Sequence, residues 1–95
     1  LIPLLPETRA MAQMGINPKG LYANRKWLKN EVKLQQEIPL DVEDILYDPQ
    51  TSGGLLISLD AGDAEQCLKT LQKTTPDARI IGEISEYKEY HIQIK

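Results

Sequence analysis

The residues of this 95-residue chain best suited to chemistry form one string, Asp48-Pro49-Gln50-Thr51-Ser52-Gly53-Gly54. Gly53 and Gly54 permit positive φ and let another backbone, or a phosphate, approach with no Cβ in the way. Thr51 and Ser52 offer hydroxyls and N–H groups that could bind an oxyanion, and Asp48 could brace the loop or hold a metal. The same residues also suit a plain structural turn, because turn chemistry is commoner than ligand contact. No lysine follows the glycines, and the loop leads into an apolar run rather than a helix. A Walker-type phosphate loop is therefore excluded.

The remaining reactive side chains have simpler readings. Cys67 shares a helical stripe with Leu68 and Leu71, which suits a small buried hydrophobe better than a reactive thiol. His91 falls on the wet face of the last strand with no second ligand at metal-like spacing, so a solvated histidine is expected. Glu31, Lys29, Lys33 and Glu37 read as a solvated charged face. Trp27 stands among Arg25, Lys26, Lys29 and Lys33; packing is expected of it in preference to base stacking. No serine–histidine–acid set or activated cysteine is present, so catalysis by this chain alone is not expected.

The elements that must position the loop follow from punctuation and period. Pro6, Glu7 and Thr8 open a short helix with Ala10, Met11 and Met14 on one face, and Gly15 supplies a left-handed stop. Residues 16–21 read as a loop, and Leu21 to Gln36 as a weak helix followed by irregular chain. Asp41 caps a short helix through Leu46 that must stop before Pro49. The run Leu55-Leu56-Ile57-Ser58-Leu59 predicts a buried strand. Gly62-Asp63 starts a helix in which Ala64, Cys67, Leu68 and Leu71 make the cleanest amphipathic stripe of the chain. Two strands, Ala78 to Ser85 and Glu89 to Lys95, close the chain as a hairpin, with Tyr90, Ile92 and Ile94 on the dry face. The expected fold is α/β (α+β), ending in a βαββ unit.

Composition narrows the function classes. The balance of 11 basic against 14 acidic residues gives −3, with no basic stripe, which argues against nucleic acid and anionic membranes as partners. Apolar runs are far too short to span a bilayer, and one cysteine fits a reducing cytoplasm. A chain this short carries one modest core and little room for an enclosed cleft. It opens at Leu1 rather than at methionine, as a piece of something longer would.

The Asp48–Gly54 string with Leu55-Leu56-Ile57 resembles the carboxy-terminal domain of selenophosphate synthetase (selenide, water dikinase), within the aminoimidazole ribonucleotide synthetase-like superfamily. Three other pieces agree in order and spacing. Leu1 to Pro6 resembles the family's Ile-Pro-Leu-Leu-Pro stretch, and Ile80-Ile81-Gly82-Glu83-Ile84 resembles its Ile-Ile-Gly-Glu strand. Gly15-Ile16-Asn17-Pro18-Lys19-Gly20, with Asn24, resembles Gly-x-x-Pro-Gly-Gly-Thr-x-x-Asn, although Lys19 and Leu21 replace the usual Gly and Thr.

The resemblance implies residues 1–95 as a partial carboxy-terminal domain of an enzyme that makes selenophosphate from selenide, water and ATP, with magnesium. It implies an amino-terminal ATP-binding catalytic domain as partner, a homodimer, and Asp48, Thr51, Ser52, Gly53, Gly54 and Asn24 as cleft residues. The family's Cys or selenocysteine, its essential Lys, its ATP-binding glycine-rich segment and its metal-binding Asp residues match nothing here, the last including an Asp-Val-Thr-Gly-Phe-Gly motif expected upstream of Leu1. The segment is thus expected to be inactive alone and to hold neither ATP nor magnesium tightly. The rival expectation is a free-standing small binding or assembly module without catalysis.

Overall fold

The structure is a computed structural model that describes residues 2–95; Leu1, which begins the proline-bracketed opening stretch, lies outside them. Among the described residues four helices and two short strands are formed: α1 (Thr8–Gln13), α2 (Lys19–Leu28), β1 (Val32–Leu34), α3 (Leu40–Leu46), α4 (Ala61–Leu71) and β2 (Ile92–Ile94). They fall into two compact units. One comprises Leu5–Gly53 with Glu86–Lys95; the other comprises Gly54–Ser85 with the residues up to Leu4. The mixed helix and strand content agrees with an α/β chain.

In the first unit, α1 ends as the sequence predicts. Gly15 takes φ 73°, its N–H reaches Ala12 O at 2.9 Å, and Ile16 N–H reaches Met11 O at 3.0 Å. That pair of bonds satisfies carbonyls that the helix end would otherwise leave unpaired. Its start differs from expectation. Glu7 lies outside the first turn, at the cap position, with a left-handed φ of 65°. A residue with a Cβ held there costs about 1–2 kcal/mol. The buried side chain of α1 is Ala12, while Ala10, Met11 and Met14 stay exposed.

Helix α2 corrects the loop expected over 16–21. Pro18 is its cap, with extended ψ of 141°, and Lys19 already belongs to the helix. Asn-Pro and Lys-Gly mark turns in general, but a proline whose ring presets φ also suits the residue before a helix. Leu21, 1% exposed, anchors α2 in a small core with Ala12 and Tyr47. Trp27 is not packed: it is 82% exposed.

Asp41 does not cap α3. Pro39 holds that position, and the Asp41 carboxylate instead accepts from Arg9 Nε at 2.6 Å and Gln13 Nε2 at 3.1 Å. Those donors sit one turn apart on α1, so a single carboxylate fastens α1 to α3. As expected, α3 ends before Pro49.

The stretch expected to be irregular after α2 contains β1, which pairs in parallel with β2 in the register Val32–Ile92, Lys33–Gln93 and Leu34–Ile94. The terminal strand therefore does not form a hairpin with residues 78–85. Side chains reinforce the parallel pair: Lys33 Nζ lies 5.2 Å from the centre of the Tyr90 ring, and Gln35 Nε2 donates to Gln93 Oε1 at 2.6 Å. His91 is exposed, as expected of the wet face, but it is engaged. Its Nδ1 meets Glu31 Oε2, and its ring lies 4.7 Å from that of Tyr87.

In the second unit α4 carries the predicted stripe. Ala64, Cys67, Leu68 and Leu71 are its only residues that are not fully exposed. Asp60 caps it by accepting from Gly62 N–H at 2.8 Å, one turn position earlier than the start read from Gly62-Asp63. The expected strands at 55–59 and 78–85 are not formed. Leu55 is 92% exposed, and Leu56 and Ile84 are similarly bare. A strand needs a neighbouring strand to receive its backbone hydrogen bonds, and among the described residues the sheet contains only β1 and β2. No helix of the described residues is long and apolar enough to cross a membrane.

Candidate functional site

The Asp48–Gly54 string follows α3 directly, and α2 fixes its start. Asn24 Nδ2 donates to the carbonyl of Tyr47 at 2.9 Å. Tyr47 caps the C-terminus of α3, where the last carbonyls have no partner within the helix, so this bond settles one of them. One turn earlier on α2, Gly20 faces Pro49: a Cβ built on Gly20 would lie 2.9 Å from Pro49 Cγ. Glycine is a poor helix former, and the close approach of the proline ring is its reason at this first-turn position.

Arg25, the residue after Asn24, secures the end of α3. It donates through Nη2 to Asp44 Oδ1, and its guanidinium lies 5.3 Å from the centre of the Tyr47 ring. Asn17 Nδ2 donates to the other Asp44 oxygen at 3.0 Å. Asp44 is 6% exposed, a buried carboxylate with donors on both oxygens. Arg25 Nε lies 3.4 Å from Glu43 Oε1, near enough for charge attraction but without hydrogen-bond geometry. Burial, and then the Glu43 carboxylate, push the Tyr47 phenol above its ordinary pKa, with Arg25 opposing. Tyr47 thus stays neutral and serves as a packed ring.

Beyond Pro49 the loop is open. Gln50 N–H closes a short turn on Asp48 O at 2.9 Å, and the Gln50 side chain folds over Gly53. Thr51 and Ser52 are exposed, and neither their hydroxyls nor their N–H groups make a hydrogen bond among the described residues. Gly53 closes the first unit, and Gly54 opens the second with open space where a Cβ would sit. Of the predicted site residues, the structure joins Asn24 to the start of the loop carrying Asp48, Thr51 and Ser52. It does so through the backbone, and Asn24 itself is half-buried.

Asp48 is the loop's single carboxylate, and among the described residues no group of three or more His, Cys, Asp and Glu gathers to hold a metal ion. The donor set does not fit magnesium. Elsewhere in the same unit a shallow cavity of about 440 Å³ opens beside α2, lined among others by Tyr22, Lys26, Lys29 and Tyr47. The candidate loop takes no part in it.

The curated relatives decide what this arrangement belongs to. The chain is 43% identical over 95 residues to a selenide, water dikinase of Caldanaerobacter subterraneus, and 39% identical over 94 residues to one of Clostridium botulinum. A third, from Clostridioides difficile, is 40% identical over 94 residues. The chain is related to a segment of the selenide, water dikinases. The match covers about 99% of this chain and 27% of the first two dikinases. A fourth relative, selenide, water dikinase 2 of Peptoclostridium acidaminophilum, reaches 48% identity over 58 residues. No family model and no solved structure matches. Among the residues missed by sequence reasoning is the Asn17–Asp44–Arg25 set around the buried Asp44 carboxylate. Its only signal was an acid at a position of α3 that helical spacing turns inward.

Proposed function

We propose that this chain is part of an ATP-dependent selenide, water dikinase, and that its Asp48–Gly54 loop lines the interdomain cleft and orients phosphoryl groups. One observation carries the reading: Thr51 and Ser52 present uncommitted hydroxyls and N–H groups at the tip of a loop whose start is held by α2. Phosphoryl transfer depends mostly on positioning and electrostatics, and such groups supply both without ionising. In the intact enzyme, ATP and magnesium are held chiefly by the amino-terminal domain, and the segment is inactive by itself. The whole protein is a cytoplasmic homodimer in this reading. Its carboxy-terminal domain has the aminoimidazole ribonucleotide synthetase-like fold, in which residues 55–59 and 78–85 become strands once neighbouring strands accept their hydrogen bonds.

The test is the double variant Thr51→Ala, Ser52→Ala in the full-length enzyme. Two lost hydrogen bonds of about 1 kcal/mol each lower turnover roughly 30-fold while folding stays normal. Unchanged kinetics would reduce the loop to a structural turn.

A further inference from the structure

We propose that Gly20 and Asn24 are positioning residues: α2 sets the placement of the Thr51 and Ser52 hydroxyls by gripping the loop at two points. The inference rests on the reading of Thr51 and Ser52 as ligand-facing, and it assigns Asn24 a role other than substrate contact.

Gly20 and Asn24 are four residues apart, hence on one face of α2 and about 6 Å apart along its axis. Each meets a different part of the same short segment. Asn24 holds the carbonyl of Tyr47 at 2.9 Å, and Gly20 lies so close to Pro49 that a Cβ would come within 2.9 Å of Cγ and 3.3 Å of Cβ. The two contacts flank Asp48. The peptide between them is fixed by a hydrogen bond before it and a steric stop after it, while the proline ring limits rotation at 49.

Downstream constraint is purely local, with Gln50 N–H bonded to Asp48 O and the Gln50 side chain over Gly53. Thr51 and Ser52 therefore take their position from α2 and from the end of α3, where Asp48 N–H bonds Ile45 O at 3.2 Å. The amide of Asn24 already has its partner, and its half-buried location suits a bracket better than a ligand contact. Arg25 reinforces the arrangement from the next residue through Asp44 and the Tyr47 ring.

The experiment compares Asn24→Ala, Gly20→Ala, Thr51→Ala with Ser52→Ala, and Asn24→Ala combined with that pair, all in the full-length enzyme with ATP and selenide as substrates. Asn24→Ala is expected to lower kcat about five- to ten-fold, with the KM for ATP changed no more than about two-fold. Gly20→Ala, which keeps the helix and displaces only Pro49, should act in the same direction and serves if Asn24→Ala folds poorly. The combined variant should be no slower than the Thr51, Ser52 pair alone, because α2 acts only through those hydroxyls.

If Asn24→Ala and Gly20→Ala leave kcat intact while the Thr51, Ser52 pair lowers it, positioning by α2 is overturned and the cleft reading stands. Losses that multiply in the combined variant overturn it too, since Asn24 would then act independently. A lowered unfolding temperature with intact kcat marks a merely structural contact. A silent Thr51, Ser52 pair removes the cleft reading and this inference together.

Discussion

Arg25 on α2 donates to Asp44 on α3, and the Asp44 side chain is only 8% exposed where the two meet. This pair does more than join two helices. Arg25 also covers the ring of Tyr47, and Asn17 donates to the second Asp44 oxygen, so the pair closes the end of α3 from which the candidate loop departs.

Removing Arg25 leaves the buried Asp44 carboxylate with Asn17 alone, and removing Asp44 leaves a half-buried guanidinium facing only Glu43. Arg25→Ala or Asp44→Ala is expected to destabilise the protein by about 3 kcal/mol, and the pair exchanged together for leucine and methionine by much less. Thermal unfolding of the full-length variants checks this. Equal losses for the single and the double exchange would show that the charges contribute nothing beyond their volume.

The bond between Arg9 and Asp41 predicts a pH dependence. Arg9's hydrogen bond, helped by that of Gln13, holds the Asp41 carboxyl below its ordinary value of 3.8, against the opposing effect of desolvation. A folded-state pKa depressed in this way contributes stability that is present above the ordinary carboxylate range and lost as pH falls through the folded value. Asp41→Asn should therefore lower the unfolding temperature near neutrality, and the difference from the parent should shrink as pH falls below the ordinary value of 3.8 and vanish only below the folded value. A difference that persists unchanged at pH 3 would assign the effect to packing of the side chain.

The sequence was legible where one residue type has one local use. Gly15 had to end α1, Pro49 had to end α3, and the spacing of Ala64, Cys67, Leu68 and Leu71 had to make a stripe. It misled where a residue has two uses. Pro18 reads as a turn but caps α2, and Asp41 reads as a cap but answers Arg9 from another helix. Pairing between β1 and β2 spans about sixty residues, and no local pattern records it. Asn24 was read as a cleft residue through resemblance, and the structure sets it against the start of the candidate loop. Its partner is a backbone carbonyl, and backbone partners leave no mark in side-chain types.

The apolar run from Leu55 to Leu59 gives the last prediction. Leu55, Leu56 and Ile57 follow one another outside any helix or strand, all exposed, with backbone groups that no neighbouring strand receives among the described residues. An exposed run of this kind is a template for edge-to-edge pairing. The 95-residue chain alone should therefore self-associate, and Leu55→Asp with Leu56→Asp should shift it towards monomer in size-exclusion chromatography with light scattering. In the full-length protein the same exchange should act in the opposite sense, lowering the unfolding temperature, because two charges would enter the strand proposed at 55–59. An isolated chain that stays monomeric, together with a full-length variant of unchanged stability, would mean that Leu55 and Leu56 face solvent in both settings. The proposed strand at 55–59 would then be abandoned.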